Sequence, residues 1–248
     1  MLNLKSDREI KQMHAAGRLL ASCHKELAKR IKPGMSTLEI DKLVETYLLK
    51  NGATPEQKGF HGYQYATCAS INDEICHGFP RKTPLKKGDL VTIDIVVNLN
   101  GALADSAWTY AVGNISEKQK RLMEVTKKAL YIGIEQAYPG NRLGDIGYAI
   151  QSFVEQEGFS VVREFTGHGI GPTIHEEPAI FHFGTPGTGM RLKEGMVITI
   201  EPMVNEGVWF SIKDDNGWTA RTADGKLSVQ YEHTLAITKE GPLILTEQ

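Results

Sequence analysis

The 248-residue chain has only three cysteines, Cys23, Cys68 and Cys76, odd in number and irregularly spaced. That excludes a disulfide framework and a cysteine-rich zinc site. No uninterrupted apolar run approaches the roughly 20 residues that a membrane span requires. The start, MLNLKSDREIKQM, is charged and lacks the apolar core of a secretory signal. A net charge of −2 offers no basic face to a nucleic acid. Lys213, Arg221 and Lys226 are interspersed with Asp214, Asp215 and Asp224, which reads as a solvated loop and not a docking patch. No Ser/Pro/Gly-rich linker divides the chain, and its richest Gly/Pro stretch, Phe183 to Arg191, reads as a surface loop. Together these absences describe one compact cytoplasmic domain over residues 1–248.

What the chain does have is internal repetition. LKKGDLVTIDI, from Leu85, and LKEGMVITIEP, from Leu192, align without a gap at an offset of 107 and set Asp94 against Glu201. PGMSTLEIDKLVETYLLKNG, from Pro33, matches PGNRLGDIGYAIQSFVEQEG, from Pro139, at an offset of 106. Both copies of the second pair read as amphipathic helices that stop at a glycine. Upstream of each, a longer helix opens at a serine followed by an acid, Ser6-Asp7 and Ser116-Glu117. The predicted order is long helix, second helix, strands, then the same again. A period this long describes two duplicated halves, about 1–115 and 116–248, and not a solenoid of short repeats.

An acid inside a Val/Ile/Thr run is costly to bury without a partner. Taken singly, Asp94 has the ordinary reading of an exposed strand face, and Glu201 that of a strand end before Pro202. Their repetition in both halves points to a cation held between them. Asn100-Gly101 is the preferred centre of a tight hairpin turn. Pairing about that turn sets Val96 opposite Asp105, so Asp94 and Asp105 become diagonal neighbours on one face, about 7 Å apart at the backbone. Glu232 stands in another β-like run, SVQYEHTLAIT, and His168 in TGHGIG, where flanking glycines leave the imidazole uncrowded. The same glycines do not fit a phosphate loop, which needs a following Lys-Ser/Thr. Four carboxylates and an imidazole form a hard ligand set, suited to two divalent ions such as Mn, Fe, Co or Zn. Water shared by two such ions loses a proton near neutral pH.

The order Asp94, Asp105, His168, Glu201, Glu232, with GHGIGPTIHEEP around the histidine and ITIEPM around the glutamate, resembles type I methionine aminopeptidases. CASINDEICHGFP, DIVVNLNGALADSAWTY and VQYEHT extend the resemblance over essentially the whole chain. It implies an α+β pita-bread fold, a curved antiparallel sheet backed by helices in two pseudo-symmetric halves. It also implies removal of the initiator methionine from nascent proteins by a metal-bridged hydroxide. Asp94 would bind one metal and His168 with Glu201 the other, while Asp105 and Glu232 bridge both; Glu201 would also shuttle the proton. His77 would contact the substrate beside the scissile bond, and His175 would donate to the peptide carbonyl. Phe60, Tyr63, Cys68, Ile174 and Trp218 would line the methionine pocket, and His61 would stand behind them. His14, His24, His182 and His233 are left as structural. Ile174 stands where bacterial forms commonly have Phe, and Gln57 where a Cys occurs. The resemblance is to the short bacterial form, a monomer whose partners are nascent N-termini, with at most a transient contact to the ribosome. The rival readings are an Xaa-Pro peptidase of the same fold and a non-catalytic binding module. The second would have lost ligands that this chain keeps.

Overall fold

The structure, a computed structural model, describes residues 2–247. Helix α1 (Asp7–Arg30) starts at Ser6, whose hydroxyl accepts from the Glu9 N–H while the Glu9 carboxylate accepts from the Ser6 N–H. This reciprocal cap satisfies two donors that a helix end leaves open. Ser36 and Glu39 repeat it at α2 (Thr37–Lys50). The first-half strands are β1 (Thr54–Pro55), β2 (Cys68–Ile71), β3 (Glu74–Cys76), β4 (Leu90–Leu99) and β5 (Ala102–Ala111). Then α3 (Glu117–Ile134), capped by Ser116 and Gln119, and α4 (Leu143–Gln156) follow. The remaining strands are β6 (Ser160–Val161), β7 (Gly167–Gly169), β8 (Glu176–Ile180), β9 (Val197–Ile200) and β10 (Met203–Asn205). They continue with β11 (Ser211–Lys213), β12 (Ala220–Thr222), β13 (Ser228–Gln230), β14 (His233–Thr238) and β15 (Gly241–Ile244).

The two helix pairs back two sheets in the same way. Leu20 of α1 and Ile40, Val44 and Leu48 of α2 pack on Ile93, Ile95 and Val97 of β4. Leu130 of α3 and Ile146 and Ile150 of α4 pack on Ile198 and Ile200 of β9 and Leu235 of β14. Among the described residues all strand pairings are antiparallel, in four hydrogen-bonded sheets. The halves are stitched at β5. Thr234 Oγ1 accepts from the Asp105 N–H at 2.9 Å and donates to the Asp105 carbonyl at 2.8 Å, and the Glu232 N–H donates to the Ala107 carbonyl.

The β4–β5 hairpin turns at Asn100-Gly101, with φ of 54° and 86°, the left-handed pair that a tight primed turn demands. Its register sets Val96 opposite Asp105 and Asp94 opposite Ala107. Three features differ from the expectations of the sequence. Glu232 is not inside a strand: the chain changes sheets at Tyr231–Glu232, because β13 pairs with β10 whereas β14 pairs with β9 and β15. His168 lies on β7, and its flanking glycines serve the sheet more than the imidazole. A Cβ at Gly167 would meet the Thr199 carbonyl oxygen at 2.4 Å, and one at Gly169 the Glu177 carbonyl oxygen at 2.5 Å.

Arg221 is the third. It lies on β12 and binds Asp73, Asp214 and Glu74, while Arg81 adds a second guanidinium on Glu74, whose side chain is 1% exposed. This network clamps β3 to β12. Glu74→Ala is expected to cost about 3 kcal/mol, the lower end for breaking a buried pair, because both arginines reach solvent. Denaturant unfolding of the metal-loaded protein measures it; a loss under about 1 kcal/mol would make the network an ordinary surface one.

Candidate active site

The strands converge on one cavity of about 590 Å³. Its lining includes Asp94 and Asp105 from the hairpin, His168 from β7, Glu201 just after β9, and Glu232 at the sheet change. His77, His175, Phe60, Tyr63, Cys68, Ile174 and Trp218 line it as well. His61 does not: it is exposed, its ring edge-on to Phe60 at 4.3 Å.

At the polar end, ligand atoms of Asp105, His168 and Glu232 lie within 4.8 Å of one another. His168 Nε2 is 3.7 Å from Asp105 Oδ2 and 3.6 Å from Glu201 Oε1. Asp94 and Asp105, diagonal neighbours in the hairpin register, line the same cavity wall. Burial pushes Asp94 up to about 7. Burial, then the Asp94 charge, pushes Glu201 up to about 8. Asp105 and Glu232 go well above the carboxylate range, first by burial and then by their acidic neighbours. His168 falls to about 4, by burial and then by His175, so it is neutral and free to ligate at pH 7. Asp105 Oδ1 and Glu232 Oε1 are buried and have no hydrogen-bond partner. Four crowded acids with two orphaned oxygens and a neutral imidazole fit divalent cations, which would supply the missing charge and bonds.

Several supporting residues escaped the sequence reading. Thr199 Oγ1 donates to Glu201 Oε1 at 2.8 Å and accepts from the His168 N–H at 3.0 Å, so one hydroxyl sets two of the clustered side chains. Gln230 Nε2 donates to Glu201 Oε2 at 3.2 Å, and the buried His182, left as structural, accepts from the Glu201 N–H at 3.1 Å. The signal for Thr199 was available: VTID and ITIE both place a threonine two residues before the acid, on its face.

The other end is apolar. Tyr63 meets Trp218 edge-to-face at 5.0 Å, and its hydroxyl is used up by the Thr67 carbonyl at 2.9 Å. Ile174 and Cys68 are buried beside them. His77, at φ 57°, stands edge-on to Phe165 at 5.5 Å, another wall residue that the sequence reading missed. Burial, then His175, lowers His77 to about 4. The His175 ring lies 4.4 Å from that of His168 and 5.4 Å from Phe60.

These shifts predict how stability responds to pH without metal. Raised carboxyls hold protons in the folded protein that the unfolded chain releases. Their stabilisation is complete below about pH 4 and is lost as pH rises through folded values of about 7 for Asp94 and about 8 for Glu201. Lowered histidines act oppositely, losing stabilisation as pH falls below about 6.5. Above that pH the carboxyls act alone. In chelator, Tm is expected to fall between about pH 6.5 and 8.5, and saturating Mn²⁺ to raise Tm and flatten the slope. Equal slopes with and without metal would dissociate the acids from cation binding.

No described helix is long and apolar enough to cross a membrane. Methionine aminopeptidase 1 of Bacillus subtilis strain 168 is 50% identical over 246 residues, covering 99% of each chain. The crystal structure of methionine aminopeptidase from Rickettsia prowazekii superposes with a TM-score of 0.98 at 42% identity, over 99% of this chain and 100% of that one. The paired layers described above are the pita-bread fold. The prolidase from Pyrococcus horikoshii OT3 is more distant, with a TM-score of 0.79 at 26% identity over 63% of its own chain. Residues 11–239 match the metallopeptidase family M24, and the chain belongs to that family.

Proposed function

We propose that the protein is a methionine aminopeptidase that removes the initiator methionine from newly made chains in the cytoplasm. One observation carries this reading: a single cavity joins a carboxylate–imidazole cluster to an apolar pocket of aromatic, aliphatic and thiol walls. A thioether suits such walls, being polarisable and a poor hydrogen-bond acceptor. Two divalent ions, of the Mn, Fe, Co or Zn type, would polarise the scissile carbonyl and acidify the attacking water when bound. Asp94 would hold one and His168 with Glu201 the other, with Asp105 and Glu232 shared. Glu201 would take the proton from the water and pass it to the departing amine, its carboxylate aimed by Thr199 and Gln230. His175, neutral at pH 7, would donate to the carbonyl oxygen as charge develops there. His77 would steady the peptide beside the scissile bond, while Phe60, Tyr63, Cys68, Ile174 and Trp218 hold the methionine side chain. Residues 1–248 form one catalytic domain, and the equal offset of α2 and α4 supports an origin by duplication of halves near 1–115 and 116–248.

The testing experiment is hydrolysis of Met-Ala and Ala-Pro peptides by protein reconstituted with each ion. Cleavage of Met-Ala alone is expected. Cleavage of Ala-Pro in preference would move the reading to the Xaa-Pro peptidases, and no cleavage with any bound ion would move it to a binding module.

A further inference from the structure

Strand β4 has a gap in its pairing beside Asp94. One edge is covered along its whole length by β5, from Leu90 to Leu99. The other edge is shared: β1 pairs only at Asn98 and Val97, and β2 takes over at Asp94. The Glu56 N–H still donates to the Val96 carbonyl at 2.9 Å, after which residues 57–67 leave the sheet to carry Phe60 and Tyr63 into the cavity wall. A strand that loses its neighbour in a buried site exposes backbone groups that must find other partners. Here a side chain supplies them. Gln57 Oε1 accepts from the Val96 N–H at 2.5 Å, and Gln57 Nε2 donates to the Asp94 carbonyl at 3.3 Å and points to Cys68 Sγ at 3.7 Å. The residue is buried, 7% exposed, and lines the cavity.

We infer that Gln57 is a positioning residue, whose amide takes the place of a missing strand and holds the Asp94–Val96 backbone so that the Asp94 carboxylate faces the cation site. The inference rests on the metal-site reading proposed above and deepens it. Both polar ends of the amide are engaged by β4, so Gln57 offers the cavity no free donor or acceptor of its own. A cysteine at this position could not span two backbone groups, which the glutamine amide does here.

Gln57→Met is the test, since it keeps the volume and removes only the amide. Partners that orient a metal-ligating side chain typically contribute ten- to a hundredfold to metal affinity. Calorimetric titration of the metal-free protein with Mn²⁺ alone should therefore show one class of site weakened about tenfold or more. The kcat for Met-Ala should fall at limiting Mn²⁺ and recover partly at high Mn²⁺, with KM little changed. A purely structural role would lower Tm and leave the titration as in wild type; that result overturns the inference. If Gln57→Met does not fold, Gln57→Asn keeps donor and acceptor one methylene short and should show the same weakening, and an unweakened titration there overturns it equally. Wild-type protein that binds Mn²⁺ tightly but leaves Met-Ala intact would defeat the proposed activity and not this role. Wild-type protein that binds no Mn²⁺ would defeat both.

Discussion

Glu201→Gln is expected to give a folded protein that cleaves a Met-Ala peptide on the order of 1,000-fold more slowly or worse, because it loses a metal ligand and a general base together. The substitution preserves volume in a site where Thr199 and Gln230 already fix the side chain. An amide oxygen can keep the Thr199 bond, but the amide nitrogen would then face the Gln230 Nε2 donor. In the folded protein without metal the cost is small. Burial holds the wild-type carboxyl at about 8, so at pH 7 it is mostly protonated and as neutral as an amide. The unfolded wild-type chain ionises this group at pH 7 and the mutant has nothing to ionise, so the metal-free mutant should unfold at a higher temperature than metal-free wild type near neutral pH. The mutant should also lose part of the Tm decline between about pH 6.5 and 8.5. With metal, the binding site beside His168 should weaken more than the one at Asp94. Steady-state hydrolysis across a metal titration decides the assignment. If high metal restored near-wild-type turnover, Glu201 would be a ligand only, and another group such as His77 would move the proton.

Local chemistry made much of this fold readable. Ser6 and Ser116 announced α1 and α3 because an N-cap hydroxyl answers a local need of the backbone. Asn100-Gly101 fixed the hairpin register, and strand parity then placed Asp94 and Asp105 on one side. The repeat offsets carried the rest, since the pairs Leu90/Val197 at strand starts and Thr37/Leu143 at helix starts keep them.

What stayed hidden depends on contacts between distant residues. Gln230 reaches Glu201 across two sheets, and nothing in SVQYEH marks a chain that leaves one sheet for another. His182 looked like any core histidine because its partner is a backbone N–H 19 residues away. Gly167 and Gly169 are small because neighbouring carbonyls crowd them, a cause that no local pattern shows. Arg221 read as solvated because its acids come from two separate segments, Asp73-Glu74 and Asp214, the first far off in sequence. The site was legible because buried acids are too costly to be incidental; its supporting shell was not, because neutral polar residues are cheap enough to occur anywhere.

His175→Ala should separate catalysis from metal binding. The ring lies 4.4 Å from His168 but belongs to the loop ahead of β8, and its backbone carbonyl accepts from Thr173 Oγ1 at 3.2 Å. The adjacent Glu176 is anchored by the buried Lys5 at 2.6 Å, so the loop is held from below even when the imidazole is removed. Burial, then His61, lowers the His175 pKa, which leaves a neutral ring with an N–H to donate at pH 7. A donor aimed at developing oxyanion charge is worth on the order of 100- to 1,000-fold in turnover. The mutant should lose about that much kcat for Met-Ala, while calorimetry finds the same number of bound ions at unchanged affinity. Turnover equal to wild type would remove His175 from the chemistry. Metal lost together with activity would make it part of the cation site, and the distinction between the clustered ligands and the donor beside them would fall.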